Sequence, residues 1–239
     1  ESREGGAGDG MGHLLKGIDL EKDQSYFLYR LSQAVLQRTW FPIGYLYKTE
    51  VRAKAEVFGL PTAQKPDSQG ICFVGKLDFK DFLRKKIEPR PGEIVTVSGE
   101  VVGSHDGLDA YTIGQRQGIQ VSKDQRAWYV ADKDLEKNRL IIVPDREHPR
   151  LYTKEAVISR VNWCAGDPCA DGKEIEVEVA IRYRQKPVKA KIVSRMGPGH
   201  SILDTRYSIL FADPVWALAP GQSAVFYQGQ ECLGGGFLM

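Results

Sequence analysis

The sequence predicts an α+β protein that is mostly β: a short helical segment first, a small central β domain next and a C-terminal β-barrel last. Two observations support this order. Apolar residues recur at helical spacing only before Pro89, and after Pro91-Gly92 the apolar period becomes two. The 239 residues, 42% of them hydrophobic, are enough for one large domain or two modest ones with real cores.

The first part of the chain carries three helical patterns. A broad apolar stripe predicts a helix from Asp23 to Gln37, with Asp23 as its cap. A second helix is predicted from an N-cap at Thr49 to a terminating Gly59, and a third, short helix begins at Asp78. The glycine-rich opening has no hydrophobic period and is predicted to be a disordered tail.

The rest of the chain reads as short strands between turn residues. A hairpin is predicted around Ser98-Gly99 and a further strand pair over RAWYVAD and NRLIIVP. The remaining predicted strands are AVISRVNW, EIEVEVAIRYR, PVKAKIVSR, RYSILFAD, WALA, SAVFYQ and CLGGGFLM, which suit a small barrel or sandwich. Alternation in EIEVEVAIRYR predicts that Tyr183 points inward and that Arg182 and Arg184 face solvent.

These patterns predict four parts of the chain. The predicted parts are a disordered tail over 1–13, a helical segment with a cysteine loop over 14–75, a central β-rich domain over 76–146 and a barrel over 147–239.

Charge is uneven along the chain although the net charge is only +2. Six cations and no acid lie between Val179 and Leu203, and a second basic cluster, Arg84-Lys85-Lys86 with Arg90, ends a predicted helix. Charge runs are often merely solvated faces. Two separate basic clusters also fit a polyanion partner bound through its phosphates.

The four cysteines differ in their settings. Cys72 lies in the loop DSQGICFVG, where flanking glycines favour a thiol that solvent can reach; a buried cysteine at a loop-to-strand junction is the alternative. Cys164 and Cys169 flank a turn at a spacing that does not suit zinc, so moderate reactivity and no metal are predicted, and Cys232 reads as a core residue. Few cysteines and no apolar run approaching 18 residues predict a cytoplasmic chain without a membrane span.

With these segments in place, the chain resembles the tRNA-specific 2-thiouridylase family, whose members put sulfur on the wobble uridine of certain tRNAs. The resemblance covers nearly everything from Leu14 to Phe237. The segments that carry it, in the family's order, are KDQSYFL, FPIG, DSQGICFVG, YTIGQRQG, WYVADKD, HPRLY, RYRQ and PGQSAVFYQGQECLGGG.

One part of the family's pattern is missing. The family adenylates the uridine with ATP and Mg through a serine/glycine-rich loop, and no SGGxDS-like segment occurs in this sequence. The resemblance therefore implies that this chain corresponds to the C-terminal two-thirds of the family, that the ATP site lies in an N-terminal half outside it, and that the isolated chain is inactive in thiolation.

The resemblance also implies roles for particular residues. Cys72 corresponds to the cysteine that carries the persulfide sulfur, with Lys65 and Asp67 near enough in sequence to influence its thiolate. A second thiol, in the missing half, would resolve the intermediate as a disulfide. The implied partners are tRNA and, as sulfur source, a sulfur-relay protein or a cysteine desulfurase.

Three matched segments correspond to tRNA contacts of the family. They are Lys22-Asp23-Gln24, Arg182-Tyr183 and Gln222. Each also has a structural alternative: Asp23 as a helix cap, Tyr183 as an inward residue and Gln222 as a turn residue that opens a strand. Arg182 is the stronger expectation for a phosphate contact.

Two other functions stay open beside the sulfurtransferase. A non-catalytic RNA-binding module would keep the barrel without the chemistry, and a persulfide relay protein would act with a separate ATP-binding subunit.

Overall fold

The computed structural model describes residues 10–66, 87–119, 121, 126–195 and 207–239. The loop with Cys72 lies outside these residues, as do most of the opening tail and most of the short helix predicted from Asp78.

The described part of the chain contains short helices and longer strands. The helices are α1 (Ser25–Leu28), α2 (Gln33–Leu36) and α3 (Lys48–Val57). The strands are β1 (Leu14–Leu15), β2 (Gly92–Thr96), β3 (Val101–His105), β4 (Tyr129–Asp134), β5 (Arg139–Val143), β6 (Tyr152–Trp163), β7 (Glu174–Ala180), β8 (Val188–Ser194), β9 (Tyr207–Trp216), β10 (Ser223–Gln228) and β11 (Glu231–Leu238).

These elements confirm the predicted fold class. Strands β6 to β11 form a six-stranded barrel in the order β11-β10-β7-β8-β9-β6, and pairing of β11 with β6 closes it. Strands β2 to β5 form a separate four-stranded sheet. Alternation produces the barrel core: in β7, Val177 and Val179 are buried, whereas Glu176 and Glu178 are not.

The chain divides into two compact units. The first lies within Glu1–Lys65, Lys154–Pro214 and Pro220–Met239, and the second within Pro66–Thr153 and Val215–Ala219. The helical segment and the barrel therefore belong to one unit.

In the first unit, the N-terminal segment lies against the barrel. Strand β1 extends the barrel sheet by pairing with β11, with Leu14 opposite Cys232. Leu14, Tyr29 and Leu36 are buried against barrel residues that include Val225. Burial of large side chains stabilises such an arrangement by roughly 1.5–3 kcal/mol each.

The single helix predicted from Asp23 to Gln37 is two short helices. The chain breaks between α1 and α2, and the Asn162 side chain donates to the carbonyl oxygens of Tyr29 at 2.7 Å and Leu31 at 3.2 Å. A barrel residue thus satisfies two carbonyls that a continuous helix would have used internally. The helix begins at Ser25 with Gln24 as its N-cap, so the prediction that Asp23 is the cap was wrong by one residue.

Three consecutive glycines let the barrel close. A Cβ on Gly234, whose φ is +146°, would collide with the carbonyl oxygen of Asn162 on β6. A Cβ on Gly235 would lie 2.6 Å from the Ala224 carbonyl oxygen and 2.8 Å from the Tyr29 ring. The glycines of β11 therefore allow close backbone approach to both neighbouring strands and to the N-terminal segment.

The second unit contains the predicted hairpin and strand pair. Gly99, at φ +87°, makes the turn between β2 and β3, and β4 pairs antiparallel with β5. Parallel pairing of β2 with β5 joins the two hairpins into one sheet. Ile94, Leu140 and Ile142 are fully buried in its core.

Two element boundaries were predicted wrongly. WALA is not a strand of its own, because Trp216 ends β9 and the following residues are irregular. Helix α3 begins at Lys48 after an N-cap at Tyr47, not at Thr49. The Glu50 carboxylate accepts the Tyr47 backbone N–H at 2.7 Å, which explains the earlier start. Gly59, at φ +66°, follows the helix as predicted.

Candidate nucleic-acid interface

Asp23 organises the start of the helical segment from inside. Its carboxylate accepts hydrogen bonds from the backbone N–H groups of Gly17 at 3.0 Å and Ser25 at 3.1 Å, and from the Ser25 hydroxyl at 2.6 Å. These contacts occupy both carboxylate oxygens within the fold. The position of Asp23 therefore fits a structural role for this residue of the KDQ segment.

Gln24 joins the KDQ segment to the RY segment. Its side-chain amide donates to the Tyr183 hydroxyl at 2.6 Å, although the two residues are 159 positions apart. The same amide nitrogen lies 3.5 Å from the carbonyl oxygen of Lys22, whose side chain is exposed. Two segments that the sequence connected only by resemblance thus form one surface.

Tyr183 does not point inward as predicted. Strand β7 ends at Ala180, and the next four residues form a bend and turn in which the Gln185 N–H donates to the Arg182 carbonyl at 3.1 Å. Arg184 adopts φ +62°, which breaks the strand alternation. Tyr183 is consequently half-buried on the outer surface beside Gln24.

Aromatic rings surround Tyr183 on the surface. Its ring centroid lies 4.6 Å from that of Phe27 and 6.2 Å from that of Tyr26, and the Arg184 guanidinium lies 5.1 Å from its centre. The sequence pattern places Tyr26 and Phe27 in the apolar stripe of the helix predicted from Asp23 to Gln37. The adjacency of YF to the KDQ segment was the signal that could have identified them.

Burial controls the state of Tyr26. Burial raises the pKa of the Tyr26 phenol, the neighbouring Tyr29 adds to this, and the Arg182 cation acts against it. The phenol therefore stays protonated and donates to the Ser223 carbonyl at 3.0 Å. Arg182, half-buried, thus lies close enough to act on Tyr26 electrostatically.

Gln222 lies at the same end of the barrel. Strands β7 and β10 are antiparallel with Val225 opposite Ala180, so the start of β10 lies beside the turn that holds Arg182. The side-chain oxygen of Gln222 is buried without a hydrogen-bond partner. A buried, unpaired amide oxygen costs about 1–3 kcal/mol unless a donor reaches it.

The structure therefore brings Gln24, Arg182, Tyr183 and Gln222 to one end of the barrel. With Tyr26, Phe27 and Arg184 they form what we call the KDQ–RY surface. Lys22 borders it through its backbone, and Asp23 lies beneath it.

The basic stretch predicted from Val179 is not uniformly open. Lys191 pairs with Glu174 at 2.6 Å, and Arg195 pairs with Glu155 at the same distance. Arg184, within the KDQ–RY surface, and Lys186, two residues later, are both exposed. The other predicted basic cluster lies outside the described residues except for Arg90.

The described cysteines are all inaccessible. Cys164, Cys169 and Cys232 are fully buried, so moderate reactivity of Cys164 and Cys169 was a wrong prediction and core placement of Cys232 is confirmed. Burial, with a contribution from Asp167, raises the pKa of the Cys169 thiol to about 12. A hydrogen bond between Cys164 and Cys232 lowers the pKa of Cys164 and raises that of Cys232. Cys72 lies outside the described residues.

The start of α3 does not suit phosphate binding. Phosphate binding at a helix start uses free backbone N–H groups, and a carboxylate already bonded there competes with the phosphate. The first turn of α3, the longest described helix, holds Glu50, whose carboxylate is already bonded there. Within the same residues, no cluster of three or more His, Cys, Asp or Glu could hold a metal, and no helix has the length and apolar character to cross a membrane.

Three family models match consecutive stretches of this chain. They are the tRNA methyl transferase HUP domain over residues 3–76, the tRNA methyl transferase PRC-barrel domain over 80–144 and the aminomethyltransferase beta-barrel domain over 153–238.

Curated relatives named tRNA-specific 2-thiouridylase MnmA match almost the whole chain. The protein of Burkholderia thailandensis is 46% identical over 234 residues, that of Burkholderia pseudomallei 47% over 234 residues and that of Cupriavidus metallidurans 46% over 236 residues. These alignments cover 96% to 97% of this chain. They cover 60% to 63% of the relatives, so this chain spans about three fifths of their length.

Proposed function

This chain belongs to the tRNA-specific 2-thiouridylase family. We propose that it supplies a tRNA-binding surface and the sulfur-carrying thiol for 2-thiolation of a wobble uridine. The observation that carries the proposal is the hydrogen bond from Gln24 to Tyr183, which assembles the KDQ–RY surface. Arginine, tyrosine and glutamine side chains in one patch provide phosphate contacts and base contacts together.

The sulfur step that we propose begins at Cys72. The Cys72 thiolate attacks the outer sulfur of a persulfide donor; a new S–S bond forms on Cys72, the donor S–S bond breaks, and the donor leaves as a thiolate. A sulfur-relay protein or a cysteine desulfurase fits the donor role. No net oxidation or reduction accompanies this exchange.

Delivery of the sulfur then requires an activated uridine. Adenylation of the uridine O2 by ATP would supply that activation, in the part of the family's polypeptide that this chain does not match. The persulfide sulfur would bond to C2 as the C2–O bond breaks and AMP leaves with that oxygen, and a second thiol would then attack the Cys72 sulfur. That attack breaks the S–S bond to the transferred sulfur, leaves it on the uridine and closes a disulfide. Reducing conditions, as in the cytoplasm, would reopen that disulfide.

Binding to tRNA tests the proposal. The isolated chain should bind tRNA weakly, with an affinity that falls steeply as salt rises, because phosphate contacts release counterions. Replacing Arg182 and Arg184 together by alanine should reduce the slope of log affinity against log salt by about two. Filter binding or fluorescence anisotropy across a salt titration measures that slope.

A matched control uses an arginine away from this surface. Arg139→Ala removes a half-buried surface arginine paired with Glu93 at 2.8 Å in the other unit and should leave the slope unchanged. An unchanged slope in the double variant would show that the KDQ–RY surface does not contact the RNA. Absence of tRNA binding by the unmodified chain would contradict the proposed function itself.

Nucleotide binding is a separate expectation. This chain alone should neither bind ATP nor release pyrophosphate, because its described residues offer no phosphate-binding helix start and its sequence no matching loop. Titration calorimetry with ATP and Mg measures this directly. Stoichiometric, Mg-dependent binding would overturn the assignment of adenylation to another part of the polypeptide.

The same experiments separate the alternatives. A non-catalytic RNA-binding module would bind tRNA with the expected salt slope but would not take sulfur onto Cys72. A persulfide relay protein would take up sulfur but show no salt-dependent tRNA binding.

A further inference from the structure

Phe27 is an exposed aromatic residue within the KDQ–RY surface. Its side chain is 56% exposed, yet its ring lies only 4.6 Å from the Tyr183 ring and 5.4 Å from the Tyr26 ring. A single exposed phenylalanine is ordinary on a protein surface. An exposed ring fixed within a group of other rings is a preformed stacking surface.

Hydrogen bonds hold the neighbours of Phe27 in place. The Tyr26 hydroxyl donates to the Ser223 carbonyl at 3.0 Å, and the Tyr183 hydroxyl accepts from Gln24 at 2.6 Å. The two rings that flank Phe27 are therefore anchored to different parts of the unit. Little conformational entropy remains to be lost when a flat ligand stacks there.

Arg184 completes this group at a conformational cost. Its φ of +62° lies in the left-handed region, which is unfavourable for a residue with a side chain. The strained backbone holds the guanidinium 5.1 Å from the centre of the Tyr183 ring. The cation therefore lies next to the exposed aromatic face, where it can meet a phosphate or a base edge.

We propose that Phe27, Tyr183 and Arg184 form a binding site for one unstacked RNA base and its phosphate. The inference rests on the proposed function, because it assumes that the KDQ–RY surface meets RNA. It adds that this contact takes a base from a single-stranded or looped region, since bases in a duplex keep their faces covered.

Charge and size favour RNA over a protein partner for this site. The ring group is small and is bordered by Gln24 and the cation of Arg184, whereas protein docking surfaces need a larger apolar centre. Stacking on aromatic rings with an adjacent arginine is the common mode for single-stranded RNA.

The test compares a uridine 12-mer with a 12-base-pair RNA duplex. Phe27→Ala should weaken binding of the single strand by about 5- to 150-fold, the range for loss of one stacked base. The salt slope should not change, since no phosphate contact is lost. Binding of the duplex should stay within twofold, and Phe27→Tyr should restore binding of the single strand.

Phe27→Leu tests whether weaker binding comes from loss of the aromatic ring or from disturbed folding. It keeps an apolar side chain on α1 but removes the aromatic face, so it should behave like the alanine variant while thermal melting stays unchanged. Equal binding of the single strand by the leucine variant and the unmodified chain would overturn the stacking site. Equal weakening of duplex and single strand would also overturn it.

Failure of this inference is distinguishable from failure of the proposed function. Phe27 variants could bind the single strand normally while the Arg182/Arg184 double variant still shows a smaller slope of log affinity against log salt. That result would support the RNA interface and overturn the stacking site. If the partner of this site is a protein, that protein would bind the chain in a Phe27-dependent way, and the unmodified chain would bind no RNA. That result would overturn both the stacking site and the proposed function.

Discussion

Replacing Cys72 by serine should abolish the uptake of persulfide sulfur by this chain. A hydroxyl at this position cannot attack a donor persulfide at neutral pH, so the S–S bond cannot form on residue 72. The remaining thiols cannot substitute for it, because Cys164, Cys169 and Cys232 are fully buried. We expect a complete loss of labelling rather than a partial one.

Mass spectrometry of individual peptides measures this uptake. The folded chain is exposed briefly to cysteine persulfide, and each cysteine-containing peptide is checked for added sulfur. Cys169→Ser is the matched control, since it removes a thiol whose pKa burial raises to about 12 and should leave uptake unchanged. Binding of tRNA should be the same in both variants.

Modification concentrated on Cys164 or Cys169 with Cys72 protected would contradict the assignment of Cys72. Repeating the exposure with tRNA present adds a second comparison. Labelling of Cys72 only in the presence of tRNA would support its role and indicate that RNA binding makes its thiol accessible.

Replacing Gly234 by alanine should destabilise the barrel by about 3 kcal/mol or more, because the new methyl group overpacks a closed site. The added Cβ would collide with the Asn162 carbonyl, which belongs to the backbone of β6 and cannot rotate away as a side chain would. Relief of the collision requires the seam between β6 and β11 to separate.

Urea denaturation followed by tryptophan fluorescence measures the loss, since Trp163 lies opposite Gly234 in that seam. Gly229→Ala is the control: Gly229 also has a positive φ, +59°, but a Cβ there would meet nothing within 4 Å. That variant should cost only about 1 kcal/mol from backbone strain. Equal costs for the two variants would show that the close approach at Gly234 is unimportant.

Local patterns in the sequence were sufficient to predict most of the strands. Period-two alternation and turn residues such as Gly99 predicted the hairpins and most strands of the barrel. The parallel pairing of β2 with β5 has no local signal, because it joins residues more than 40 positions apart.

For the candidate site, the sequence indicated which segments to consider but not that they touch. The KDQ and RY segments were found through resemblance, but their contact through Gln24 and Tyr183 depends on the folded chain. The alternation rule placed Tyr183 inward because nothing in the sequence marks Arg184 as a residue with positive φ. Only glycine, asparagine and aspartate give such a signal.

The break in the predicted first helix has a long-range cause. Helical spacing continues through Tyr29 and Leu31, so sequence reasoning joined α1 to α2. Asn162, more than 130 positions later, binds the carbonyls that end the first helix. Tertiary hydrogen bonds here override local helix propensity.

The pairing of β1 with β11 has a consequence for synthesis of the protein on the ribosome. Leu14 finds its partner Cys232 only after a further 218 residues have been made. At about 5–20 residues per second, the N-terminal segment waits roughly 10 to 40 seconds before its partner strand emerges. During that interval Tyr29 and Leu36 lack the barrel surface that later buries them, so the nascent chain exposes these apolar side chains until β11 has been made.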